Sequence, residues 1–409
     1  MSTKLSSIHP IGLNIIIGTL FARLATSMSM PFLAIYLTTV KGVSAGMTGA
    51  VIGVSALVGV FASFIGGSLS DQYGRKKIMI GSIIVWIFVF IGFAFADHII
   101  FFFVLNALNG ICRSFFEPTS RALLSDLTKP ENRLMIFNLR YGAINIGFAI
   151  GPLIGLQLGG AKSTLPFLVA AFVYLLYMIS LFVQFKKYEI GDKQEVQQRV
   201  TMKQSVHVLQ KDTIFLLALV GIILSTLGYS QFSSSLSQYF ANSNAFKDGI
   251  TLFSHLLVLN AVTVVIVQYP VTRIGKKYTA LVSIMIGALI VSLGLFGFGI
   301  TNNVPLLYLC AILFTVGEVL MFSMTDLFID QIAASHLKGT YFGAMGFSGI
   351  GSVIGPWLGG VLLDYYGYNH GWIVFTILAS ICALSFPVLL LVQKRLRKRN
   401  EAENMELHA

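Results

Sequence analysis

The sequence predicts an all-α integral membrane protein whose twelve transmembrane helices form two pseudo-symmetric six-helix bundles. Three observations carry this expectation. Of 409 residues, 56% are hydrophobic and 11% charged, with a mean hydropathy of +0.80. A soluble domain carries about a quarter of its residues as charges because it must face water. Twelve apolar runs reach the ~20 residues that one spanning helix needs. Finally, the chain repeats itself across its midpoint.

In order, the expected spans are Ile11–Tyr36, Met47–Gly66, Ile78–Ala96, Ile99–Leu124, Leu134–Leu158, Leu165–Val183, Ile214–Phe240, Ile250–Val267, Tyr278–Phe298, Leu306–Phe328, Tyr341–Leu363 and Trp372–Val392. Strands of a membrane barrel would be about half as long and would alternate in polarity. These runs are long and continuous, so they read as helices. The first is too long for a cleaved signal peptide and contains Arg23, so it is expected to be retained as a helix. Cys112, Cys310 and Cys382 all fall within spans, which implies neither a disulfide framework nor a metal site.

Charge placement sets the orientation. With both termini assigned to the cytoplasm, 21 of the Lys and Arg residues fall in cytoplasmic segments, three in external loops and four (Arg23, Arg113, Arg121, Arg140) within spans. That asymmetry follows the positive-inside rule. The basic tail Lys394-Arg395-Leu396-Arg397-Lys398-Arg399 then reads as an anchor at anionic headgroups rather than a nucleic-acid site.

The one long polar interruption, Lys186–Lys211, divides the chain into an N-terminal bundle (1–185), a central cytoplasmic loop (186–211) and a C-terminal bundle with its basic tail (212–409). Residues 146–155, IGFAIGPLIG, and 350–359, IGSVIGPWLG, are identical at six of ten positions with a constant offset of 204. Asp126 and Asp330 share that offset, and Gly74-Arg75-Lys76-Lys77 has a worn copy at Gly275-Lys276-Lys277-Tyr278. Repeated halves mark secondary transporters, with a site near the midplane.

The run Gly67-Ser68-Leu69-Ser70-Asp71-Gln72-Tyr73-Gly74-Arg75-Lys76-Lys77 resembles the cytoplasmic loop motif of the major facilitator superfamily. Gly147, Gly151, Pro152 and Gly155 resemble the fifth-helix motif of its twelve-helix drug:proton antiporters. The resemblance covers the whole chain. Two positions depart from it. Gln72 stands where the loop motif usually has a base, and Asn106 stands four residues before Gly110 where the fourth-helix motif usually has an Arg. The resemblance implies a charge relay of Asp71, Arg75 and Asp126 docking against the start of span eleven. Gly67 and Gly74 belong to the same motif, and Gly74 permits the tight turn. In the second half Lys276 and Asp330 are retained, but Thr272 replaces the first acid. Glycines at every fourth position in span five let another helix approach closely, and Pro152 removes a backbone donor.

A charge at the bilayer centre costs about 3 kcal/mol on insertion scales, so buried ionisable residues are candidates for function. Glu318 lies 12 residues, about 18 Å, into span ten, near mid-depth. The resemblance places that helix on the cavity, and burial suits such a carboxylate to proton exchange. Arg113, Glu117 and Arg121 share one face of span four, while Arg23 and Arg140 sit deep in spans one and five. Glu117 with Arg113, Arg121 or Arg140 reads equally as a structural network and as a substrate or proton contact. Arg121 lies where it can snorkel to the surface. Tyr229, Gln231, Gln238 and Tyr239 read as pocket lining or as an outer interfacial belt, and His255 as a structural hydrogen bonder.

The expected function is proton-coupled efflux of small lipophilic molecules by alternating access in the cell membrane. The alternative cargo is an organic anion, lipid headgroup or sugar. The implied partners are a small-molecule substrate, protons and the lipid bilayer, with no nucleic acid, and a monomer is expected. A membrane-embedded enzyme or receptor is disfavoured, because no phosphate-binding loop, metal set or nucleophile–base pair is present. No cofactor is expected.

Overall fold

The computed structural model describes residues 8–43, 45–158, 163–188, 202–275 and 278–407. Among them every regular element is helical. The helices are α1 (Pro10–Ile35), α2 (Ala45–Tyr73), α3 (Arg75–Phe95), α4 (Ile99–Asp126), α5 (Arg133–Gln157), α6 (Leu165–Lys187), α7 (Met202–Lys211), α8 (Thr213–Ser230), α9 (Ser235–Asn242), α10 (Gly249–Gly275), α11 (Ala280–Ile300), α12 (Val304–Ile332), α13 (Lys338–Ala344), α14 (Gly349–Tyr366), α15 (Gly371–Ala383) and α16 (Ser385–Leu407). Within the described residues, twelve helical segments are long and apolar enough to cross a membrane.

The elements differ from the expected spans at four places. Span seven is broken between α8 and α9. There the Gln231 amide donates to Leu227 O at 3.0 Å, Ser234 Oγ donates to Ser230 O at 2.7 Å, and Ser235 Oγ donates to Gln231 Oε1 at 2.6 Å. Such local side-chain bonds compete with the helical ladder. Span eleven starts as α13, tightens into a 3-10 turn at Met345–Ser348 and resumes as α14. Span twelve divides after Ala383, four residues before Pro387, whose ring excludes a helical partner at that carbonyl. The helix α7 lies inside the stretch read from the sequence as a polar loop, and residues 189–201 of that loop lie outside the described residues.

The chain gathers into two compact units. One holds residues 1–206 together with Ile329–Gly346; the other holds His207–Phe328 and residues 347–409. The first has an aromatic core in which Tyr174 lies 4.7 Å from Trp86 and stacks on Phe90 at 5.3 Å. The second is centred on Phe232, Phe298 and Phe314, with Phe232 and Phe314 stacked at 5.0 Å. Large apolar side chains also cover the outside: Phe88 is 67% exposed and Phe95 73%. Lipid accepts such a surface and water does not. Between spans, Lys41 donates to Asp97 at 2.7 Å; this bond lowers the Asp97 carboxyl and raises the Lys41 amine from their ordinary values.

Candidate functional site

Four arrangements bring the sequence candidates to particular partners. The first is at the end of α2. Gly74 adopts φ 95°, a left-handed conformation open to glycine, and turns the chain into α3. The turn carries Arg75 back over Asp71. Arg75 Nη1 donates to Asp71 Oδ1 and to Ser70 Oγ (2.7 Å for the latter), while its Nε donates to Asp126 Oδ2 at 3.3 Å. Asp71 also accepts the backbone N–H of Gly339 at 3.0 Å and of Thr340 at 2.6 Å. Those donors open α13, where a helix presents unpaired N–H groups and the positive end of its dipole. Close contact makes this possible. A Cβ at Gly67 would lie 2.0 Å from Gly339 O, and one at Gly339 would lie 2.5 Å from Gly67 O. The side chain of α7 residue Ser205 is fully buried beside this site, accepting from Ser68 Oγ at 3.1 Å and lying 3.4 Å from Thr340 Oγ1.

A second ionic cluster adjoins α4. Asp330, whose side chain is 0% exposed, accepts from Arg133 at 2.7 Å and Lys338 at 2.8 Å, and Ser125 bonds both Asp330 and Lys338. Asp330 stood out in the sequence as the repeat partner of Asp126. Its pairing with Arg133 and Lys338 had no sequence signal, since nothing in spacing joins position 133 to 330. The repeat's Lys276 and Lys277 lie outside the described residues.

Third come the glycine faces. A Cβ at Gly147 would approach Leu20 O at 2.8 Å and Leu24 N at 2.9 Å, and one at Gly151 would meet Ser27 Oγ at 1.9 Å. Ser27 Oγ donates to Gly147 O at 2.8 Å, so α5 lies backbone to backbone on α1. Gly155 is buried on the same helix, and Pro152 sits inside α5 without ending it. The repeat does the same in the second unit. A Cβ at Gly351 would lie 2.4 Å from Ile223 O, and one at Gly355 would lie 2.1 Å from Ser230 Oγ.

The fourth arrangement is the buried charges, which divide between the units. In the first, Glu117 gathers three arginines. Arg23 and Arg113 both bond Oε1, the latter at 3.1 Å, and Arg140 lies 3.6 Å from Oε2. Arg121, on the same face of α4 by spacing, donates to Phe342 O at 3.4 Å and lies 5.4 Å from that ring's centre. Asn106, at the position where the drug antiporters usually have Arg, donates to Val51 O at 2.6 Å and accepts from Asn109 at 3.2 Å. In the second unit, buried Glu318 accepts the Asn260 amide at 2.9 Å, and that amide also donates to Thr315 Oγ1 at 2.8 Å. The Tyr229 ring packs edge-on to Phe322 at 4.8 Å. Asn260 was missed in the sequence, where an amide in an apolar run gives no sign of its partner. Gln231 is buried in hydrogen bonds at the α8 break, Tyr239 is buried and Gln238 is exposed. His255 meets Tyr308 OH at 3.4 Å.

Comparison with known proteins decides the family. The sequence profile of the Major Facilitator Superfamily matches residues 15–349. The chain belongs to the major facilitator superfamily. It is 49% identical over 394 residues to the uncharacterized MFS-type transporter YqjV of Bacillus subtilis (strain 168), covering 96% of each chain. It is 26% identical over 400 residues to a Na(+), Li(+), K(+)/H(+) antiporter of Planococcus maritimus, covering 90% of this chain and 92% of that one. The crystal structure of the human organic anion transporter MFSD10 (TETRAN) superposes with a TM-score of 0.70 at 16% identity, covering 93% of this chain and 98% of that one. This major facilitator chain is therefore a multi-pass membrane transporter and not an enzyme, and its substrate is a small molecule.

Proposed function

We propose that this chain is a proton-coupled antiporter of the cell membrane, exporting small lipophilic molecules by alternating access, with both termini cytoplasmic. The observation that carries the reading is Glu318, a carboxylate buried in a long apolar helix and bonded by the Asn260 amide. An ionised carboxylate in such a place is costly, so it gains by taking a proton or by meeting cargo. Either partner lowers the cost of occluding the site, and competition between them couples the two fluxes. The rings of Tyr229 and Phe322, packed edge-on, supply an apolar face for a lipophilic cargo. Glu117 is the poorer proton carrier, because Arg23 and Arg113 hold its charged form. A relative named as a cation/proton antiporter supports exchange for protons, and the excess of Lys and Arg in the loops assigned to the cytoplasm supports the orientation. The Asp71–Arg75–Asp126 relay, with Gly67 and Gly74 shaping it, is proposed to stabilise one state of the transport cycle, and the Gly147–Gly151–Pro152–Gly155 face to pack a helix pair that must stay together as the state changes.

The test is Glu318→Gln in inside-out membrane vesicles carrying an imposed proton gradient. Gradient-driven accumulation of a fluorescent lipophilic dye is expected to vanish while dye-for-dye counterflow persists. Full gradient-driven accumulation by the variant would remove Glu318 from coupling.

A further inference from the structure

We propose that Arg113 is the recognition point for the anionic group of the cargo, an organic monoanion bearing a carboxylate or sulfonate beside an apolar body. The inference rests on the reading of the chain as an exporter but replaces direct competition at Glu318 with separate sites, the anion held at Arg113 and the proton alone at Glu318. Arg113 stands at the midpoint of the 28-residue helix α4, and its side chain is 56% exposed. At that depth a guanidinium turned to hydrocarbon costs about 3 kcal/mol or more, so the exposed fork meets water in an opening of the protein.

The charges around it do not balance. Arg23 and Arg113 converge on the same Oε1 of Glu117, and Arg140 approaches its other oxygen at 3.6 Å. Among the described ion pairs, Arg23 and Arg113 meet no other carboxylate. One negative charge therefore serves at least two positive ones, and positive charge remains even with Arg140 set aside.

The members also differ in access. The side chains of Arg23 and Arg140 are 10% and 6% exposed, so both are fixed within the bundle along with Glu117. Arg113 bonds Glu117 through its Nε, and its side chain is 56% exposed. The planar guanidinium edge matches a carboxylate or sulfonate, and the surplus positive field favours the anion. Phe148 is 46% exposed and lies 5.6 Å from the Arg23 guanidinium, so an apolar surface adjoins the charged group. A purely structural network would instead bury all three arginines and satisfy each with its own acid.

The experiment reads binding alone, on the full chain purified in a neutral detergent. Thermal unfolding is followed with a maleimide dye that reports the buried thiols of Cys112 and Cys382 as they become exposed. Three probes share one ring and differ in charge: benzenesulfonate, benzyl alcohol and benzylammonium, at equal concentration and constant ionic strength. Benzenesulfonate is expected to raise the midpoint by about 2 °C at ten times its dissociation constant, with no shift from the other two. Arg113→Gln is expected to lose that shift and Arg113→Lys to keep part of it. Should Arg113→Gln fail to fold, the charge selectivity of the wild type and the Arg113→Lys result still decide. Equal shifts from all three probes, no shift from any, or an undiminished sulfonate shift in Arg113→Gln would overturn the proposal. Each of these leaves proton coupling at Glu318 standing, because that reading is scored by the gradient dependence of transport.

Discussion

The carboxylate of Asp71 accepts the backbone N–H of Thr340 at 2.6 Å, joining positions 269 residues apart in the chain. The same group accepts Gly339 N–H and the guanidinium of Arg75, so one side chain ties the turn after α2 to the first turn of α13. Charge-assisted bonds of this kind weaken when the acceptor becomes neutral.

Asp71→Asn is therefore expected to lower transport several-fold in a protein that still expresses and folds, with a lowered unfolding temperature because a buried ion pair is broken. The amide keeps one acceptor oxygen but forfeits the charge that Arg75 and the α13 donors share. Dye efflux beside a thermal-unfolding scan checks it. Wild-type efflux in the variant would make the relay dispensable.

The Asp330 cluster should be more sensitive in stability than in transport. Its carboxylate is 0% exposed and shared by Arg133 and Lys338. Lys338→Met removes one partner, and breaking a buried pair typically costs about 3–5 kcal/mol. Asp330→Asn is expected to cost more than Lys338→Met, because it strips Arg133 and Lys338 of their shared carboxylate, whereas Lys338→Met leaves Asp330 paired with Arg133. An Asp330→Asn variant more stable than Lys338→Met would contradict this.

The glycine faces predict matched effects in the two units. Gly147→Leu and Gly351→Leu both force a side chain onto a neighbouring backbone, 2.8 Å from Leu20 O and 2.4 Å from Ile223 O at the Cβ alone. Both are expected to abolish a well-folded population on size-exclusion chromatography. Gly360→Ala, with nothing within 4 Å of its Cβ, should be silent or raise stability by up to ~1 kcal/mol through helix propensity.

Topology can be read by chemical labelling. Cys112 and Cys382 are buried and Cys310 is partly exposed, so the introduced thiol is scored in a Cys310→Ser background. Gln197→Cys in the central loop should react with an impermeant maleimide in inside-out vesicles and not in intact cells. Labelling of intact cells would reverse the proposed orientation.

The motif turn was readable from the sequence because its parts are local. Gly74 must supply a left-handed backbone, and Arg75 follows Asp71 by four residues, within reach of a side chain. The glycine faces were readable for a similar reason. Spacing by four puts Gly147, Gly151 and Gly155 on one side of a helix, and the copy at offset 204 repeats the pattern.

By itself, then, the sequence determined the helical membrane class, the twelve apolar segments, the repeat and the family, because hydropathy, period and local motifs act within a few turns of chain. Tertiary structure decided which charges distant in the chain meet. Spacing put Arg113 within reach of Glu117, and the fold added Arg23 from α1 and Arg140 from α5. It likewise delivered Asn260 to Glu318 and Arg133 to Asp330. The physical reason is that in an apolar medium an ionisable group must find a partner, but which partner depends on the helices packed beside it, and helix packing is set by side-chain shapes distributed over the whole chain.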